Sequence, residues 1–355
     1  MSTDPAATSA PPSGEPLLTV EDLRVSFATE EGIVQAVEGV SLSVRPGEIV
    51  AVVGESGSGK SVTAMTLMGL TRSPNARFEG TAHYKGTELV NASEDELRRV
   101  RGAEIAMIFQ DPMTSLNPVH SIGRQLVEAV MLHRDVTKRD AKLRALELMK
   151  AVGIPHADPR IDDYPHQFSG GMRQRVMIAM ALINEPDLLI ADEPTTALDV
   201  TTQAQILPLM TSLQQEFDTA IIMITHDLGV VAELADDILV MYAGRAVEHA
   251  QCAQIFRAPE HPYTWGLMGS LPRLDTAVER LTQIPGQPPS LLRPPRGCRF
   301  HPRCPYVMDV CKTKEPELVP TQKDQEHLQR CHLDEETKDR EAAKLLEQTL
   351  AGAGG

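Results

Sequence analysis

Cysteine is scarce in this chain, with five residues in 355. So few thiols exclude a small disulfide-built scaffold, and with no export signal they point to a reducing compartment where structural disulfides are rare. Long apolar stretches are missing too. The longest run without a polar side chain is Val176–Ile183, eight residues, against the ~20 that a membrane-spanning helix needs. The first 16 residues contain no Lys or Arg and no apolar signal core, so no signal peptide is expected. Pro5, Pro11, Pro12 and Pro16 among Ser, Thr and Ala are the composition of a disordered lead. Positive charge is in deficit, 34 basic residues against 49 acidic ones, a net −15. Proteins that coat duplex nucleic acid draw their affinity from neutralised phosphates, so no nucleic-acid partner is expected.

What is present is the composition of a globular protein, 42% hydrophobic and 23% charged. At roughly 150 residues per domain, the length suggests a main unit and an appendage. Leu17–Phe27 and Val34–Val44 alternate like strands around a turn at Glu30-Glu31-Gly32. Glu48–Val53, Ile105–Phe109, Leu188–Ala191 and Ile221–Ile224 are short apolar runs expected to be buried strands. Helical patterns begin at Ser61 and cover Ser121–Arg134, Thr137–Val152, Ser169–Asn184 and Val200–Phe217. Strands alternating with helices predict an α/β fold with a mainly parallel sheet. After about Phe256 the periodicity fades into a proline-rich, then cysteine-bearing region, and Glu335–Leu350 is a charged helical tail.

Gly54-Glu55-Ser56-Gly57-Ser58-Gly59-Lys60-Ser61 fits G-x-x-x-x-G-K-S between a strand and a helix. Glycines let backbone N–H groups turn in around phosphates, and the helix N-terminus adds partial positive charge. Lys60 can reach the β/γ-phosphates and the Ser61 hydroxyl can ligate Mg²⁺. Such a loop needs a carboxylate partner for the metal. Leu188–Ala191 followed by Asp192 and Glu193 supplies it: Asp192 towards Mg²⁺, Glu193 as general base for the attacking water. Ser169-Gly170-Gly171-Met172 opens a long helix and forms a second anion nest. One pocket has little use for two phosphate cradles, whereas two chains arranged head to tail can use both.

In this order the motifs resemble those of ABC-transporter ATPases. The resemblance covers about 17–258 and includes a Walker A loop at 54–61, a Q-loop glutamine at Gln110 and a signature at Ser169–Gln174. It continues through the Walker B acids, a D-loop Ala197-Leu198-Asp199 and a switch histidine, His226. Phe27 best matches the aromatic that stacks on adenine. Met172 departs from the family's usual glutamine. The resemblance implies a P-loop NTPase core with an antiparallel β subdomain and an inserted helical subdomain at about 115–180. It implies that Gln110 binds Mg²⁺ or the attacking water and links the site to a permease, that His226 contacts the γ-phosphate, and that Asp199 reaches across a dimer interface. Lys60, Asp192, Glu193 and His226 are all present, so the site is expected to be competent. A soluble ABC ATPase of DNA repair or translation is disfavoured by the single motif set and by acidity.

Ile108–Pro118 (IFQDPMTSLNP), Tyr164–Phe168 (YPHQF) and His261–Thr264 (HPYT) resemble ATPase subunits of dipeptide and oligopeptide importers, a group that includes nickel and other small-solute importers. The resemblance implies ATP and Mg²⁺ as ligands, a related second ATPase subunit and two integral membrane permease subunits. It further implies an external solute-binding protein as indirect partner, and a peripheral location on the cytoplasmic face of the membrane. It extends through 259–334 as a cysteine-rich extension, leaving 335–355 as tail. Cys298, Cys304, Cys311 and Cys331 are spaced unlike zinc knuckles or bacterial ferredoxins. Spacing alone points to four thiolates around one metal centre, with His301 and His332 as alternates and Cys252 outside it. The resemblance implies a 4Fe–4S cluster at these four cysteines; Zn²⁺, or free or disulfide-linked thiols, remain open.

Overall fold

The structure is a computed structural model and describes residues 14–111, 115–196, 200–270 and 284–351. Two sheets organise it. The smaller is antiparallel and runs β2-β1-β4-β5, with β1 Leu18–Thr29, β2 Gly32–Val44, β4 Ala76–Tyr84 and β5 Thr87–Glu88. The β1–β2 turn closes at Thr29↔Gly32 around the predicted Glu30-Glu31 pair. Strand β4 went unread because only Ala82 and Tyr84 along it are fully buried. Gly80 breaks its alternation at φ +85°, where a Cβ would lie 2.4 Å from the Asp22 carbonyl oxygen.

The larger sheet has the order β11-β12-β10-β9-β3-β8-β7-β6. Its centre comprises β3 Ile49–Val53, β6 Ile105–Ile108, β7 Leu188–Asp192, β8 Ala220–Thr225 and β9 Asp237–Tyr242, all mutually parallel. Every residue of β3, β7 and β8 is buried. That explains their continuous apolar sequences, since parallel strands are covered on both faces. Strand β6 stops at Ile108, one residue short of the expected end, and Phe109 is 40% exposed. β10 Arg245–Gln251 folds back on β9. β12 Leu328–Gln329 then pairs with β10, and β11 Val319–Pro320 with β12, all antiparallel.

Between β6 and β7 the described residues form several helices. Ser121 caps Ile122–Met131, and Thr137 caps Lys138–Ala151 by accepting from the Asp140 N–H at 3.2 Å. Gly153 follows at φ +74°, the left-handed residue expected past a helix end. These helices and Gly170–Leu182 bury a first core against the large sheet. A second core lies between the two sheets, joining Leu18, Leu23 and Val37 to Val50, Ile190 and Ile222. The third joins β3 and β9 to the C-terminal region through Tyr242, Tyr263 and Phe300. Their rings pack at 4.7, 5.1 and 5.5 Å between centroids, each pair worth roughly 0.5–1.5 kcal/mol beyond its buried area.

The HPYT string begins the helix Pro262–Gly269. The His261 ring caps it, taking the Tyr263 N–H at 3.1 Å, and Pro262 occupies the first helical position, where its missing donor costs nothing. Burial pushes His261 down to about 3, which keeps the capping ring nitrogen a free acceptor at neutral pH. Behind it, the carboxyl of fully buried Glu248 on β10 accepts from the N–H groups of Glu260 and His261, from Thr264 Oγ1, and faces His327 Nε2 at 2.8 Å.

Candidate active site

In a parallel sheet all strand C-termini emerge on one edge, the usual place for ligands in α/β folds. Here that edge gathers the predicted residues: the 54–61 loop follows β3, Asp192 ends β7, His226 follows β8, and Gln110 lies two residues beyond β6.

The loop keeps its shape through glycine. Gly54 has φ +155°, and a Cβ there would sit 2.2 Å from the Met241 carbonyl oxygen; at Gly59, φ +100°, it would sit 2.4 Å from that of Ala36. Gly54→Ala is therefore expected to lower stability by about 1–3 kcal/mol, the range for overpacking, and to weaken nucleotide binding with it. Denaturant unfolding and nucleotide titration read the two effects; an unchanged unfolding midpoint would show that the loop relaxes around the methyl group.

Lys60 opens the helix Lys60–Leu67 and is only 4% exposed. Its ammonium donates to the carbonyls of Gly54 at 2.6 Å and Glu55 at 3.0 Å. Burial pushes its pKa down, against the opposing pull of Glu193, Asp192 and Glu55. Ser61 Oγ donates to Asp192 Oδ1 at 2.9 Å. Burial raises the Asp192 pKa, the Ser61 hydrogen bond lowers it, and the Glu193 charge raises it further. A hydroxyl beside a carboxylate oxygen is the hard donor set that suits Mg²⁺.

Glu193 has φ +46°, a left-handed conformation that costs an L-residue roughly 1–2 kcal/mol. Its amide donates to the Ile224 carbonyl at 2.9 Å, tying the turn to β8. Three groups converge on its Oε2: Gln110 Nε2 at 3.1 Å, Thr196 Oγ1 at 2.8 Å and His226 Nδ1 at 3.7 Å. The structure thus brings Gln110, Glu193 and His226 together. Thr196 is an addition that sequence reasoning missed; its only signal is a hydroxyl three residues beyond the acid, across Pro194.

Ser169 accepts from the Met172 N–H at 3.3 Å as N-cap of Gly170–Leu182, and Ser169 and Gly170 are exposed. A Cβ on Gly171 would meet Thr202 Cγ2 at 2.7 Å. The departure at Met172 has a packing reason, because its side chain is partly buried against the first core. Phe27 is half-buried on β1 against the second core. A cleft of about 820 Å³ opens nearby, with Thr29, Glu30, Ser56, Gly57, Pro288 and Leu291 among its walls. Asp199 and the rest of the D-loop, and residues 112–114 of the IFQDPMTSLNP string, lie outside the described residues.

The cysteine expectation is corrected. Among the described residues, which include all four cysteines, no group of three or more His, Cys, Asp or Glu is arranged to hold a metal ion. Neither the 4Fe–4S cluster nor the Zn²⁺ alternative has support. Cys298, Cys304, Cys311 and Cys331 are free thiols, and Cys298 and Cys304 pack against the third core. Burial pushes Cys298 up, Cys304 up to about 11 and Cys331 up to about 12. Cys311 is buried, and Cys298, Cys304 and Cys331 are partly buried.

Among the described residues no helix is long and apolar enough to cross a membrane. Residues 37–196 match the family model "ABC transporter", and residues 247–311 match "Oligopeptide/dipeptide transporter, C-terminal region". The chain is similar to the oligopeptide transport ATP-binding protein OppD of Salmonella typhimurium, 54% identical over 89% of this chain and 94% of that one. It is equally similar, at 54%, to the dipeptide transport ATP-binding protein DppD of Bacillus subtilis, over 85% of this chain and 90% of that one. A dimeric ATP-binding cassette, MJ0796, bound to ADP and Pi superposes with TM-score 0.60 at 27% identity, covering 66% of this chain and 98% of that one. Fold, site edge and both matched regions agree: this chain belongs to the ABC transporter ATPases, in the group that carries the oligopeptide/dipeptide transporter C-terminal region.

Proposed function

We propose that the chain hydrolyses ATP to drive uptake of dipeptides or oligopeptides through a separate membrane permease. The observation that carries the hydrolytic reading is the convergence of Gln110, Thr196 and His226 on Glu193 Oε2, on the same sheet edge as the Ser61–Asp192 pair. Backbone amides of the 54–61 loop and the Lys60 ammonium hold the phosphates. Ser61 and Asp192 would hold Mg²⁺, which when bound neutralises charge on the β- and γ-phosphate oxygens. Glu193 takes a proton from water as its oxygen attacks the γ-phosphorus and the bond to the ADP oxygen breaks, leaving ADP and phosphate. Gln110 and Thr196 keep the accepting oxygen aimed, and His226 contacts the γ-phosphate. Catalysis is thus positioning and charge stabilisation.

The exposed Ser169–Gly170 nest at a helix start suits a γ-phosphate held by a second, head-to-tail ATPase subunit. Phe109, adjacent to Gln110, lines a groove with Leu70, Met107, Leu132 and Met180. This apolar groove, continuous with the Q-loop, is the proposed seat of the permease at the cytoplasmic membrane face. The peptide cargo rests on the relatives' names. Cells lacking this chain are expected to lose uptake of radiolabelled di- and oligopeptides, with uptake restored by wild type and not by Lys60→Ala. Loss of nickel or another small solute with peptide uptake intact would reassign the cargo.

A further inference from the structure

Glu55, the second residue of the phosphate loop, is gripped by a part of the chain more than 200 residues away. Arg303 forms a two-pronged ion pair with its carboxylate, Nη1 to Oε2 at 2.5 Å and Nη2 to Oε1 at 3.0 Å. Arg303 is itself 6% exposed, and its fork is fully used: Nε donates to the Pro285 carbonyl at 2.8 Å, Nη2 to that of Ile284 at 3.2 Å, and Nη1 lies 3.4 Å from Tyr242 Oη. The Glu55 N–H donates to Tyr263 Oη at 2.7 Å. The Glu55 carbonyl is held from the other side, by the Ser58 N–H at 3.2 Å and by Lys60 Nζ at 3.0 Å. Side chain, amide and carbonyl of one loop residue are therefore all fixed, two of the three by the C-terminal region.

The pairing is chemically selective. A planar guanidinium matches a carboxylate with two parallel bonds and fixes its orientation, which an ammonium cannot do. Tyr263 is anchored by the aromatic packing with Tyr242 and Phe300, and burial raises its pKa, so the hydroxyl stays protonated and uses its lone pair on the Glu55 amide. We infer that Arg303 and Tyr263 are positioning residues for ATP binding: acting through Glu55, they hold the phosphate loop and Lys60 in the phosphate-accepting arrangement, which makes nucleotide affinity depend on the docked C-terminal extension. Neither touches the reacting atoms.

The inference rests on the ATP reading above, and its test separates the two. MgATP affinity is measured by equilibrium titration of the full-length chain as wild type, Arg303→Met, Tyr263→Phe, Glu55→Gln and the Glu55→Gln/Arg303→Met double variant, each with its nucleotide-free unfolding midpoint. The expected result is an ATP Kd raised about tenfold or more in Arg303→Met and Glu55→Gln and severalfold in Tyr263→Phe, since small displacements of a positioning group have large effects. The double variant is expected to be no weaker than the worse single one, the signature of residues acting through one contact. Arg303→Lys is expected to restore little, because it keeps charge without the fork. Wild type that binds no ATP would overturn the functional reading and the inference together. Wild type that binds ATP, with variants of unchanged affinity or with Arg303 and Glu55 effects that simply add, overturns the inference alone. A lowered midpoint with unchanged Kd counts against it too, as a purely structural tie.

Discussion

Replacing Glu193 by Gln is expected to cut steady-state ATP turnover by about 10²–10⁴-fold, the usual contribution of a positioned general base, while MgATP still binds within about threefold of wild type. The substitution keeps size and shape, so the turn at φ +46° and the amide bond to Ile224 survive. What is lost is the basic oxygen at which Gln110 Nε2, Thr196 Oγ1 and His226 Nδ1 converge. An amide in that place offers a carbonyl oxygen too weakly basic to take a proton from water. Lys60, Ser61 and Asp192 are untouched, which is why binding persists and the protein is expected to accumulate in the ATP-bound form. The measurement is phosphate release by the assembled subunits beside equilibrium titration with MgATP. Turnover within tenfold of wild type would falsify the base assignment, and lost binding would move Glu193 from chemistry to loop structure.

The largest effect on stability is expected at Glu248, far from the phosphates. Its two oxygens answer the amides of Glu260 and His261, the hydroxyl of Thr264 and the ring of His327 in a site closed to water. Glu248→Ala leaves these donors buried without an acceptor. Removing one member of a buried charged network costs roughly 3–5 kcal/mol, a large part of the ~5–15 kcal/mol that holds most proteins folded. Glu248→Gln keeps the volume and one acceptor oxygen, so its loss is expected to be smaller. Denaturant unfolding of the three proteins orders them wild type, Gln, Ala. An Ala variant as stable as wild type would mean that water replaces the carboxylate and the network carries little energy.

The two sites differ in how much of them could be read from the residues alone. The phosphate loop, Asp192, Glu193 and the strands behind them are contiguous segments whose local pattern carries the chemistry: glycines where φ is positive, and apolar runs buried on both faces and ending in acids. Gln110 and His226 came through family resemblance, and parallel topology delivers both to the edge where β3 and β7 end. The C-terminal region resisted reading because its bonds are long-range. Arg303 and Glu55 are 248 positions apart, and His327 and Glu248 are 79 apart; no periodicity marks either pair. Strand β4 was hidden by Gly80, and the end of β6 by the apolar but exposed Phe109. The four clustered cysteines misled for a different reason. Spacing reports proximity in sequence, while metal binding depends on how donors are arranged in space, and among the described residues these thiols form no metal-holding group.

Strand β11, the two-residue Val319–Pro320 at the outer margin of the large sheet, bears on how the molecule stays apart from its copies. A sheet margin offers unpaired amides and carbonyls to any passing strand, and proline has no amide to offer. The C-terminal region covers the β10 ladder with β12 and then finishes this side of the sheet with a two-residue strand whose Pro320 has no amide to donate to another. The extension thereby ends the sheet on this side in a strand poorly suited to edge pairing, while β6 forms the opposite margin.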